Sequence, residues 1–428
     1  MKKKVFKASY IISSSNKVYE NSYLILNDDT IEQITQNLPL NENNYEFYDY
    51  TGHVIMPGLI DSHIHSYQVA NRGKNVKKSL LDWLNTHILP WESNLTPEKA
   101  YISALLSYTE IIESGTTTIA DFTSVNHTEE AFRVARKLGL RAFIGKTMMN
   151  INSPENLQQS TTEAINDSIK LIEKWHGKEN GRLNFALTPR FDLTCDNELF
   201  KETLKISQDY NVLMQTHTQE TKGELEFEEK HYGKHAIAHL DELGVLNENY
   251  ILAHCVYMDE NDLNILKKTK ASVVHNPGSN MLLNSGIAPI PLMLKQGINV
   301  SLGSDVVAYH NFNLFEQARL TYNMHILNEG FASLSPKDVF DMATINGAKS
   351  LHIEDKTGTI ESGKKADMII LKLDTHHYPI NDIIDNIILT ANKNDVVASL
   401  VDGNFIYKDK KIVNFDKSEL IPLLSKLK

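Results

Sequence analysis

The sequence predicts an α/β protein: a (β/α)8 TIM-like barrel with a small β-sandwich domain formed by both chain ends. Three observations predict it. Short apolar strands alternate with amphipathic helices eight times between about residues 57 and 357. Both ends are strand-rich and lack that rhythm. No run approaches the ~18 apolar residues of a membrane span, so the periodic segments read as a water-soluble core. The implied division is 1–56, the first part of the β domain; 57–357, the barrel; and 358–428, the second part of the β domain. A doubly wound open sheet shares the β-then-α rhythm, and the count alone leaves it open.

Taken in order, residues 5–12 and 18–26 are rich in β-branched and aromatic side chains, with a Ser/Asn-rich turn between them. The barrel strands follow at 53–61 (broken by Pro57-Gly58), 116–122, 141–148, 184–190, 212–217, 251–255, 271–275 and 300–305. Helices are predicted at 97–114, 128–138, 160–175, 197–210, 234–243, 259–268, 289–296 and 335–351. The last opens on Ser335-Pro336-Lys337-Asp338, a cap with Pro at the first helical position and an acid three residues after the Ser. The tail returns to strands at 366–373 and 396–401, then a hairpin through Asp402-Gly403. Chain termini often lie close together, so the two strand-rich ends pair.

Composition narrows the function. The 428 residues carry 43 basic and 54 acidic side chains, a formal charge of −11. That balance argues against a nucleic-acid surface. With 41% apolar residues the chain is not disordered. Two cysteines, Cys195 and Cys255, exclude a disulfide framework and read as ordinary barrel residues of a reducing compartment. The basic start is followed by Lys7, Ser9 and Ser13 rather than an apolar run, so no targeting segment and a cytoplasmic location are expected.

Seventeen histidines stand out. His63 and His65 end the first barrel strand, His217 the fifth (with Glu220 three residues on), His254 the sixth, His275 the seventh and Asp305 the eighth. Carboxyl ends of parallel barrel strands line the active-site mouth, so these residues converge there. His63 and His65 are two apart and face one side of an extended chain, which lets two imidazoles meet one metal. Histidines, a carboxylate and no thiolate suit one divalent ion, Zn2+ or Fe2+. Such an ion lowers the pKa of a bound water to about 7. Glu220 is positioned to shuttle the proton, and Asp305 could be a ligand, the base for the water, or both. His231, His235 and His239 are four apart, and read as a polar helix face. Gly358–Lys365 nearly spells a phosphate loop, but Lys365 stands where Ser or Thr must bind Mg2+.

Met56-Pro-Gly-Leu-Ile-Asp-Ser-His-Ile-His65 resembles the opening metal motif of the amidohydrolase superfamily. Ser114-Gly-Thr-Thr-Thr118, His217-Thr-Gln-Glu220, Leu252-Ala-His254, His275-Asn-Pro-Gly-Ser-Asn280 and Leu302-Gly-Ser-Asp305 follow in the family's order. No lysine ends the fourth strand, where two-metal members carry a carboxylated one, so the chain is similar to the single-metal aminohydrolase branch. That resemblance implies metal ligands His63, His65, His217 and Asp305, a proton shuttle at Glu220, and His254 against the attacking water. It gives His275 a lesser part. It implies a homodimer acting on a nucleobase-like small molecule and water.

Gln68 and Thr188-Pro-Arg190-Phe191 resemble the purine contacts of guanine deaminases. Arg presents fixed planar donors, Gln a donor and an acceptor, and Phe a stacking face. Asn71-Arg72-Gly73 and Leu81-Asp82-Trp83-Leu84, with Trp83, look as much like the methylthioadenosine/adenosylhomocysteine deaminases. The leading expectation is deamination of guanine to xanthine. The alternatives are a methylthioadenosine/adenosylhomocysteine, 8-oxoguanine or pterin deaminase, and, from another class, a non-catalytic metal- or ligand-binding barrel.

Overall fold

A computed structural model describes residues 3–38, 45–74, 77–306 and 312–427. The strands are β1 (Lys3–Ser14), β2 (Lys17–Asn27), β3 (Thr30–Thr35), β4 (Tyr45–Pro57), β5 (Leu59–Ile64), β6 (Thr116–Phe122), β7 (Arg141–Met148), β8 (Leu183–Pro189), β9 (Leu213–Thr218), β10 (Tyr250–His254), β11 (Ser272–His275), β12 (Val300–Leu302), β13 (Met368–Lys372), β14 (Val396–Val401), β15 (Asn404–Lys408) and β16 (Lys411–Ile412).

Strands β5 to β12 form one parallel sheet in simple sequence order. A doubly wound sheet reverses its strand order at a switch point; this one does not. The ring closes where Ile64 bridges Asp305 in parallel and the Asp305 N–H donates to the His63 carbonyl at 2.8 Å. Every residue of β5, β6 and β7 is buried, as strands covered on both faces require. One end of the barrel is filled by Ile60, Ala120, Phe143, Ala186, Leu213, Ile251 and Val274 from seven strands, with Ala348 and Leu351 packed against them.

The remaining strands form one continuous mixed sheet, β16-β15-β14-β13-β4-β1-β2-β3. Both chain ends build it, and β13 pairs antiparallel with β4 from Met368 opposite Pro57 to Lys372 opposite His53. The sheet rolls over a core that includes Phe6, Leu24, Ile55, Met368 and Leu400. The β2–β3 and β14–β15 turns meet beside Ala366: its N–H donates to the Asp29 carbonyl at 2.9 Å, its carbonyl accepts from the Gly403 N–H at 3.1 Å, and a Cβ on Gly403 would lie 2.5 Å from the Asp28 carbonyl oxygen. The two layers of the expected sandwich are therefore halves of one folded-over sheet.

Two predicted helices differ. The stretch carrying His231, His235 and His239 is not one helix face. It breaks at Gly233 (φ +66°), giving helices Lys222–Tyr232 and Ala236–Glu242. The helix predicted at 335–351 divides into Pro336–Met342 and Ile345–Ser350, because Thr344 leaves helical geometry at φ −132°, ψ −94°. Among the described residues no helix is long and apolar enough to cross a membrane.

Candidate active site and metal centre

The metal-ligand geometry starts with two imidazoles whose outer nitrogens are occupied. His65 Nδ1 lies 2.9 Å from the Phe122 carbonyl oxygen and His217 Nδ1 lies 2.7 Å from that of Arg190. Each Nδ1–H donates outward, which fixes the tautomer and turns the Nε2 lone pair inward. Those two Nε2 atoms are 3.0 Å apart. Two lone pairs at that distance repel, and a cation between them removes the repulsion. His63 Nε2 is 3.4 Å and His65 Nε2 3.3 Å from the same Asp305 Oδ1. His63 Nε2 is buried and finds no hydrogen-bond partner among the described residues. Atoms sharing one tetrahedral zinc at ~2.0–2.1 Å sit roughly 3.3–3.4 Å apart. The donor set therefore fits one divalent ion held by His63, His65, His217 and Asp305.

Electrostatics agree. Burial, reinforced by the neighbouring His63, pushes the proton affinity of His65 and of His217 far down, leaving the neutral, ligating form. Burial alone would raise Asp305. The facing His63, with the adjacent His254 and His65, outweighs it and holds Asp305 well below the usual carboxylate range.

Beside this cluster sit two proton-handling groups. His254 Nδ1 donates to Asn280 Oδ1 at 2.9 Å. Its Nε2 faces Glu220 Oε2 at 3.5 Å and Asp305 Oδ2 at 3.8 Å. Glu220 accepts from Ser285 Oγ at 3.1 Å. Burial, with the nearby Asp305, pushes Glu220 up to about 8. A carboxyl group raised that far exchanges a proton near neutral pH, as an acid–base group must. The backbone is strained at these strand ends: φ is +51° at Gln219, +78° at His254 and +56° at Asp305. Gly303 allows the last turn, since a Cβ there would stand 2.3 Å from Asn276 Oδ1 and 2.9 Å from the His63 carbonyl.

These residues open into a small cavity of about 30 Å3. His65, His217, Glu220, His254 and Asp305 line its floor chemistry. Gln68, Trp83, Arg190, Phe191, Leu80, Leu84, Leu283 and Val306 line the rest. A few convergent polar groups within apolar walls suit a flat ring. The cavity thus gathers each candidate site residue except two: His63, which stands behind the lining against Asp305, and His275. That side chain is fully buried outside the cavity lining, with its ring 5.5 Å from that of His325.

Sequence reading missed Glu92. Its fully buried carboxylate accepts from Gln68 Nε2 at 2.8 Å, Arg190 Nη1 at 3.2 Å and Ser124 Oγ at 3.3 Å. It orients both predicted purine contacts. The five-residue helix that carries it, Leu89–Ser93, offers no local signal of its partners. Asp121 was missed too. It ties down the loop after His65 by accepting from the Ser66 N–H (3.1 Å), Ser66 Oγ (2.5 Å) and Tyr108 Oη (2.5 Å).

The chain is similar to proteins already described. The chain is 35% identical over 415 residues to a 5-methylthioadenosine/S-adenosylhomocysteine deaminase of Syntrophomonas wolfei, covering 96% of this chain and 94% of that protein. It is 33% identical over 410 residues to a 5'-deoxyadenosine deaminase of Methanosphaera stadtmanae, covering 95% and 94%. The structure superposes on guanine deaminase from C. acetobutylicum, solved with bound guanine, with a TM-score of 0.86 and 29% identity over 95% of this chain and 100% of that one. Residues 54–406 match the amidohydrolase family. Fold, strand-end donors and full-length likeness converge: the chain belongs to the amidohydrolase family and is a hydrolytic deaminase.

Proposed function

We propose that this cavity removes the exocyclic amino group of a purine ring. The overall change is addition of water at an amidine-like ring carbon, C–NH2 becoming C=O, with release of ammonia. The observation that carries it is the meeting of the His63, His65, His217 and Asp305 donors with Glu220 and His254 at one cavity. A divalent metal, zinc in first place, supplies Lewis-acid activation of water when bound there. His254, its Nδ1–H anchored on Asn280, presents Nε2 to the attacked carbon's oxygen. Glu220 would carry one proton of the attacking water to the ring nitrogen, and then the proton of the added hydroxyl to the amine, which leaves as ammonia as the C=O forms. Ser285 holds its carboxyl group in position. Phe191 and Trp83 offer aromatic faces, and the apolar rim excludes bulk water.

For the substrate, the full-length likeness to methylthioadenosine/adenosylhomocysteine and deoxyadenosine deaminases supports an adenosine-type nucleoside ahead of guanine. This reverses the order that the sequence motifs suggested. A second reading, guanine, is favoured by one observation: Gln68 and Arg190 line the cavity together on Glu92, an edge suited to a ring carbonyl and its neighbouring nitrogens. Ammonia release from methylthioadenosine, adenosylhomocysteine, 5'-deoxyadenosine, adenosine, guanine, 8-oxoguanine and a pterin separates the two. Turnover confined to the nucleosides retires the guanine reading. Turnover confined to the oxo-purines or pterins retires the nucleoside reading. Turnover of none, with metal bound, sinks both. His63→Ala is expected to lose bound metal and activity together. We also propose a homodimer, checked by light scattering of the purified chain.

A further inference from the structure

Outside the barrel cavity, a second group of metal-binding side chains comes together beside the small sheet. His376 and His377 end the short turn Thr375–His377, which follows β13. Asp395 ends the turn Lys393–Asp395, which leads into β14. Between these turns the chain makes an excursion that includes the helix Ile383–Thr390. His376 Nε2 lies 3.2 Å, and His377 Nε2 3.5 Å, from the same oxygen, Asp395 Oδ2. One ligand atom from each residue lies within 4.8 Å of the other two. The two imidazole centroids are 4.0 Å apart.

We propose that His376, His377 and Asp395 form a second divalent transition-metal site, independent of the barrel centre, with Zn2+ its natural occupant. The two separations bracket the roughly 3.3–3.4 Å edge of a tetrahedral zinc shell. Two imidazoles and a carboxylate are the nitrogen and oxygen donors such an ion takes. The carboxylate is preset, because Asp395 Oδ2 also accepts from the Asn392 N–H at 2.8 Å and Asn392 Nδ2 at 2.9 Å. His377 is 1% exposed and Asp395 7%, whereas His376 is 44% exposed. The ion has a buried wall, an entry path and room for water as the fourth ligand. By contrast, His235 Nδ1 is 2.7 Å from Asp262 Oδ2, a direct hydrogen bond shorter than any edge between two zinc ligands. That pair is an ion pair. A metal on His376, His377 and Asp395 would staple the base of the excursion between two antiparallel strands, β13 and β14.

The test uses the full-length protein loaded with metal and equilibrated against micromolar free Zn2+, with zinc per chain counted by mass spectrometry. His376→Ala is the chosen variant, with His376→Gln as its conservative companion. His376 is half exposed and its hydrogen bond is to Asp395, so the fold tolerates its loss. Wild type is expected to hold one more zinc per chain than either variant, with deaminase activity equal in all three. Co2+ titration is expected to show a second tetrahedral absorption band in wild type that both variants lack. Equal zinc counts and superimposable Co2+ titrations would overturn the site and leave the three residues as a histidine–carboxylate contact alone.

Discussion

Two arginines, each 3% exposed, stand at opposite ends of neighbouring parallel strands. Arg141 opens β7. Its Nε and Nη2 donate to the two oxygens of Asp367 at 2.6 and 3.0 Å, and Nη2 also reaches Asp402 at 2.5 Å. Asp367 and Asp402 belong to the small sheet's segment, so Arg141 locks the amino-terminal end of the barrel to that sheet. Arg190 follows β8 at the other end. It makes one 3.2 Å bond to Glu92 and otherwise lines the cavity. Its remaining donors have no side-chain partner among the described residues. The same side chain serves as mortar where its donors are saturated and as a recognition group where they are left open. This follows the division of a (β/α)8 barrel into a stability face and a catalytic face.

The sharpest way to break that contrast is Arg141→Ala. It strands two buried carboxylates and is expected to cost about 3–5 kcal/mol of stability. Chemical denaturation measures the loss, and the folded fraction should keep its kcat/KM. Activity lost without stability lost would erase the distinction. Next in size is Arg190→Ala. A hydrogen bond to a charged group is worth about 1.5–3 kcal/mol, so kcat/KM should fall roughly 10–150-fold. Its stability cost should be smaller than that of Arg141→Ala, since Glu92 keeps Gln68 and Ser124 and the cavity admits water. Steady-state kinetics beside a melting curve separates the two effects.

The smallest effect sharpens the contrast from the acid side. Asp192, two residues beyond Arg190, is buried with Oδ2 unpartnered among the described residues. Burial, with Glu224 beside it, pushes its pKa up to about 8. In the unfolded chain it titrates near ~4. Between those values the unfolded state binds fewer protons, so this group's contribution to stability falls as pH rises from about 4 to 8. Asp192→Asn is therefore expected to raise the melting temperature modestly, with a gain that grows from pH 5 to pH 8. A gain that shrinks over this range would assign Asp192 a charged partner.

The strand-end histidines were legible because a parallel barrel turns one-dimensional position into three-dimensional place. Once the eight strands are counted, the donors at their carboxyl ends must share a mouth. The closure from Ile64 to Asp305 was not legible, because a β-then-α rhythm is the same in open and closed sheets. The breaks at Gly233 and Thr344 escaped because apolar spacing continues across them, while the backbone does not. Glu92 escaped for a different reason. Its importance lies wholly in partners 24 and 98 positions away, Gln68 and Arg190, and nothing local in the chain announces them.

The closing bridge between His63 and Asp305 also sets a timetable. The ribosome makes the His63-Ile-His65 pair early, and Asp305 emerges 305 − 63 = 242 residues later. At ~5–20 residues per second that interval is on the order of ten to fifty seconds. The sheet begun by β1 waits longer still, for β13 to β16. A metal held by His63, His65, His217 and Asp305 would therefore find its donor set complete only once the eighth barrel strand is made.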